Sequence, residues 1–114
     1  MKLVKYEEAQ KYENSNQCTV YEYELNDKDI NCATAIINGR YPEKGYCYNE
    51  ECKELIYVVK GQGTLNTKQG ELIEVKEKDV ILIDKGESYY WEGNCTIILP
   101  CTPAWHKEQY KLLD

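Results

Sequence analysis

A chain of 114 residues that is 42% hydrophobic and 30% charged has enough apolar side chain to build one core and too much to remain disordered. Its net charge of -6, with Arg40 as the only arginine, argues against a nucleic-acid partner, whose affinity rests on clustered Lys and Arg. No apolar run approaches the ~20 residues of a membrane span, and residues 1–8 lack the apolar stretch of a signal peptide, so a cytoplasmic protein with no membrane partner is expected.

In chain order, residues 7–12 carry a short, weakly patterned helical signal. Residues 18–25 alternate in part, with Val20, Glu22 and Glu24 opposite Tyr21, Tyr23 and Leu25, and residues 26–29 read as a turn. Further strands are predicted over 30–38, 54–59, 63–66, 72–75, 80–83, 88–91 and 96–99, with turns at 61–63, 68–70 and 92–94. A second short helix is predicted over 105–112. Eleven tyrosines and two tryptophans without any phenylalanine reinforce the strand bias.

Many short strands at near-regular spacing, with no βαβ alternation, predict a sandwich or closed barrel within one domain, 1–114. The runs at 55–59 and 80–83 are apolar throughout. Both faces of those strands are therefore expected to be covered, the outer one by a second sheet, a terminal segment or another subunit, and a homodimer is expected. The six cysteines are expected as reduced thiols, and they form no Cys-x-x-Cys pair, which leaves zinc-ribbon and thioredoxin-like readings without support.

Residues 39–63 and 78–93 resemble the two motifs of the cupin superfamily. In the first, Gly39, Glu54 and Gly61 stand at the motif's Gly, Glu and second Gly, and the run from Leu55 to Gly63 matches its strand and turn. In the second, the spacing is kept from Lys78 to Tyr89, with Lys78 in place of the first Gly, Asp84 in place of the Pro, Gly86 retained and Tyr89 in place of the His. The chain is similar to a small, single-domain bacterial group of cupins. The resemblance implies an all-β, cupin-type double-stranded β-helix, or jelly-roll barrel, with short N- and C-terminal extensions.

The family holds a divalent metal with a His-x-His pair, a Glu and a second-motif His. The matching positions here are Cys47 and Asn49, or Tyr48 and Glu50, then Glu54 and Tyr89, so only Glu54 survives as a conventional ligand. Without imidazoles no metal cofactor is favoured; zinc or another divalent ion held by Cys47, Cys52 and Glu54 is the alternative.

Glu54 opens an apolar strand, and a buried carboxylate needs hydrogen bonds, a cation or a proton. It is the candidate acid or base, with Tyr89 beside it. Tyr48, Asn49, Tyr57, Tyr89 and Trp91 are candidates for a ligand-binding wall, and Arg40 for an anion anchor. His106, the only histidine, lies outside the motif and is expected on the surface. The expected function is binding of a small molecule in a pocket lined by Glu, Tyr and Cys. The alternatives are a small isomerase or lyase acting through Glu54, a variant metal enzyme, and a structural or interaction dimer.

Overall fold

The computed structural model describes all 114 residues and is built from nine strands: β1 (Gln10–Ser15), β2 (Cys18–Tyr23), β3 (Asn31–Tyr41), β4 (Tyr46–Asn49), β5 (Lys53–Thr67), β6 (Leu72–Lys76), β7 (Val80–Ile83), β8 (Tyr89–Thr102) and β9 (Tyr110–Leu113). All pairings are antiparallel. One path runs β1-β2-β3-β8-β4-β9, and β5 lies along the other edge of β8, carrying β6 and β7. The molecule is all-β and curls into a barrel. No helix is long and apolar enough to cross a membrane.

The two predicted helices are replaced by single 3-10 turns, Tyr6–Glu8 and Lys107–Gln109, each leading into a strand. β1 pairs with β2, and β9 pairs with β4 from Tyr46↔Leu113 to Asn49↔Tyr110. In both places an open sheet edge supplies hydrogen-bond partners that outweigh a weak helical preference.

The glycine-rich segments at 61–63 and 92–94 differ more from expectation. They lie inside the continuous strands β5 and β8, where Gly61, Gln62 and Gly63 pair with Cys95, Asn94 and Gly93. Gly93 faces Gly39 on its other side, so three glycines cross β3, β8 and β5 in one row. A Cβ at Gly93, where φ is +137°, would lie 2.6 Å from Gly63 Cα. Glycine here lets strands bend and approach without ending them.

A register shift between Val58 and Lys60 makes Val59 a bulge residue. Before it Glu54, Ile56 and Val58 point inward; after it the buried positions are Gly63 and Leu65. One extra residue thus reverses which parity faces the core. The expectation that the 55–59 and 80–83 runs are covered on both faces is not met within this chain. Leu55, Tyr57 and Val59 are 45%, 39% and 47% exposed, and Val80 and Leu82 are exposed beside them. The inner face packs Ile37, Ile56, Val58, Leu65, Trp91 and Ile97 into the core.

Candidate functional site

Inside the curled sheet lies a cavity of about 490 Å³. Its walls are the inward side chains of consecutive strands, Val20 of β2, Ala33 and Ala35 of β3, Ile56 of β5 and Ile97 and Leu99 of β8. Period-two alternation on strands buried on one face produces such a lining. Tyr41, Trp105 and Tyr110 add aromatic surface, and the exposed Tyr12, Asn14 and Lys107 mark the mouth.

Glu54 and Tyr89 line the floor and are both buried. The phenol of Tyr89 donates to Glu54 Oε1 at 3.1 Å, Asn49 Nδ2 donates to the same oxygen at 2.5 Å, and the Cys101 thiol lies 3.8 Å from Oε2. Cys101 is the backbone partner of Glu54, whereas Tyr89 begins the same strand that Cys101 nearly ends. Stretched out, that strand would run to about 45 Å. Both of its ends reach one carboxyl group because β8 curls round the barrel.

Asn49 is buried behind Glu54. Its Oδ1 accepts from Gln109 Nε2 at 2.8 Å and from the Trp105 indole at 3.2 Å. No buried side-chain nitrogen or oxygen is left without a partner. Burial is the largest influence on Glu54 and raises its affinity for a proton above that of an ordinary carboxyl; the bonds from Asn49, Tyr89 and Cys101 pull the other way. Burial likewise raises Tyr89 well above the usual phenol range, so it remains a donor. Glu22, a second cavity carboxyl, is raised by burial and then by Glu24.

Other candidate residues lie elsewhere. Tyr57 is on the outer face, and Trp91 is 3% exposed in the core below the cavity. Tyr48 alternates away from the buried Cys47 and Asn49 and is not part of the cavity wall. Arg40 neither faces the cavity nor pairs with a carboxylate: its guanidinium donates to the carbonyls of Pro42 at 2.6 Å and Gly45 at 3.0 Å and stacks 3.8 Å over the Tyr90 ring. His106 is on the surface between Glu51 and Glu108.

The donor set does not fit a metal. No three His, Cys, Asp or Glu side chains converge to hold an ion. The Cys47 thiol donates to the Tyr89 carbonyl. Cys52 is fully buried, and Glu54 Oε1 already accepts from both Asn49 and Tyr89, with only the Cys101 thiol near Oε2. The set of Cys47, Cys52 and Glu54 therefore falls apart into separate contacts.

Gln109, Trp105, Cys101, Tyr41 and Tyr110 complete the site and were not among the predicted site residues. All five come from regions whose geometry the sequence pattern disguised, the apparent C-terminal helix for Trp105, Gln109 and Tyr110 and the far ends of long strands for Tyr41 and Cys101. The usable signal was chemical, since a buried Asn and Glu pair must find further polar partners.

Solved structures with this architecture are readily found. Pac13 from Streptomyces, a nucleoside dehydratase seen with uridine, superposes with a TM-score of 0.86 at 16% identity over 96% of this chain and 88% of that one. The fold is a cupin-type barrel. The polyketide cyclase RemF from Streptomyces resistomycificus gives a TM-score of 0.75 at 15% identity, covering 100% of this chain and 86% of that one. Bacillus subtilis oxalate decarboxylase gives 0.81 at 12% identity, where this cupin barrel covers 31% of the longer chain. No family model matches the sequence, and no curated protein is similar to it in sequence.

Proposed function

We propose that the cavity binds an uncharged small molecule and that Glu54, with Tyr89, exchanges a proton with it, making this cupin barrel a metal-independent lyase or isomerase. The observation that carries this reading is a buried carboxyl group, raised in proton affinity, at the floor of a cavity about 490 Å³ in volume. That volume suits a compact organic ligand. A carboxyl group that holds its proton more tightly than an ordinary one is better suited to donating it to a bound substrate.

The choice of an uncharged ligand follows from the lining. Lys107, exposed at the mouth, is the only cation that lines the cavity, whose walls also carry two carboxyl groups, Glu22 and Glu54. Arg40 is committed outside. An anion entering this space would lose hydration without gaining a partner. At the level of fold alone, the barrel hosts a dehydratase, a cyclase and a decarboxylase among its structural neighbours.

Thermal-shift screening of neutral, ring-bearing metabolites against their phosphorylated forms tests the binding step. Neutral compounds are expected to stabilise the protein and phosphorylated ones to fail; preference for the anions would sink the reading. With a ligand in hand, Glu54→Gln is expected to bind it and lose turnover by at least about a hundredfold. Binding with no turnover by the parent chain would reduce the function to that of a ligand-binding protein.

A second reading, compatible with the first, concerns the outer face. Leu55 lies opposite Leu82 and Tyr57 opposite Val80, so their exposed side chains form one apolar surface. Lys53, Lys60, Lys78, Asp79 and Asp84 border these strands. Charges of both signs round an apolar centre suit self-pairing, and we propose that a second copy covers this face.

A further inference from the structure

We propose that Gln109 is a positioning residue that fixes the polarity of the buried site, so that Glu54 carries its exchangeable proton on Oε2, the oxygen that meets only the Cys101 thiol. This rests on the acid-base reading of Glu54 and sharpens it, because it names the oxygen from which the protonated carboxyl group donates to an oxygen or nitrogen of the substrate.

The direction of every bond follows from two backbone amides. The N–H groups of Glu51 and Cys52 each donate to Gln109 Oε1 at 3.2 Å. A backbone N–H can only donate, so this end of the Gln109 amide must be its oxygen. Nε2 consequently faces Asn49 and donates to Oδ1. The Trp105 indole, which is also only a donor, meets the same oxygen. With Oδ1 committed twice, Asn49 has to turn Nδ2 towards Glu54 Oε1.

Oε1 then accepts from both Asn49 and Tyr89. A proton on that oxygen would point at the Asn49 N–H. Oε2 meets only the weak thiol donor of Cys101, so the proton settles there. The titratable groups around Glu54 are Tyr89 and Cys101 of β8, Cys47 of β4 and Cys52 just before β5; none is a cation. Gln109 is 1% exposed and touches neither the cavity nor Glu54, so it acts through Asn49.

The test needs no ligand. In the full chain labelled with carbon-13, the Glu54 carboxyl is titrated by NMR in the parent, in Gln109→Met and in Trp105→Phe. Met preserves the length of the side chain and removes both ends of the amide. Loosening Asn49 weakens the bond that favours the carboxylate, so the Glu54 midpoint is expected to move up by about half a pH unit or more in Gln109→Met, and in the same direction by less in Trp105→Phe. A lower melting temperature with an unmoved midpoint, or a downward shift, overturns the proposal. If Gln109→Met does not fold, the half-buried Trp105→Phe decides by the same criterion. Loss of the catalytic reading would appear separately, as unchanged turnover in Glu54→Gln, and would leave the titration result standing.

Discussion

A carboxyl group placed like Glu54, shielded from water and without a cation in contact, ionises only with a loss of solvation that its three neighbouring donors offset in part. The folded chain therefore holds this proton more tightly than the unfolded one. The resulting stability is complete below the ordinary carboxyl value of 4.5 and fades as pH rises through the folded midpoint. Glu54→Gln mimics the protonated group, with a carbonyl oxygen at Oε1 and a donor at Oε2. Urea unfolding of parent and variant is expected to show the parent losing stability relative to the variant as pH rises from about 4.5 towards 8; a flat or rising difference would contradict the assignment. Asn49→Leu removes the acceptor for Gln109 and Trp105 together, and a loss of about 3 kcal/mol is expected from the same unfolding measurement at fixed pH. The inward placement of Glu54 and Tyr89 was legible from the motif frame, which left Cys47 and Asn49 or Tyr48 and Glu50 open at the paired positions; Asn49 lies buried behind Glu54 and not on the cavity wall. Trp91 was not separable from Tyr89, since alternation puts both on one face and does not tell how deep a side chain lies; Tyr57 is out of phase with Glu54, and alternation alone sets it on the outer face. Arg40 was illegible for another reason: its partners are backbone carbonyls brought near by a local bend.

The strands were largely legible, the joints between them less so. Apolar runs located β6 and β7 and the two halves of β5 and β8, but Gly61, Gly63 and Gly93 read as ends when they are bends within paired strands. Sequence carries the φ freedom of glycine without saying whether a neighbouring strand will use it for a turn or for close approach. β9 was missed because four residues of edge pairing with β4 leave almost no periodic signature. The glycine row yields a prediction at this scale. Gly93→Ala puts a methyl group against the Gly63 backbone in a conformation that L side chains rarely adopt, and a loss of about 3 kcal/mol or more is expected by denaturant unfolding. Gly70→Ala is the control, because a Cβ there meets nothing within 4 Å; its penalty, from positive φ alone, should be about 1 kcal/mol. Equal losses at the two positions would remove the case for close approach in the row.

For the whole molecule, the all-β barrel could be anticipated from turn spacing and the two-motif frame, whereas the bare outer face could not, because an apolar run looks the same whether the chain covers it or a second copy does. Sedimentation velocity at micromolar concentration is expected to find a dimer. Leu82→Glu, on that face and pointing away from the core that its neighbour Ile83 enters, should give a monomer with the same ligand-induced thermal shift; a parent chain that sediments as a monomer would discount the pairing. The curl of β8 has one more consequence, for the chain's tolerance of insertions. Tyr89 and Cys101 reach the same carboxyl group from opposite ends of one strand, so the number of residues between them is part of the site. One residue inserted between Trp91 and Leu99 would turn Tyr89 to the outer surface, and two would restore its face but carry its phenol about 6.6 Å away from Glu54. Side chains along that stretch can be exchanged within the limits of packing, but its length cannot drift by even a single codon without dismantling the floor of the cavity.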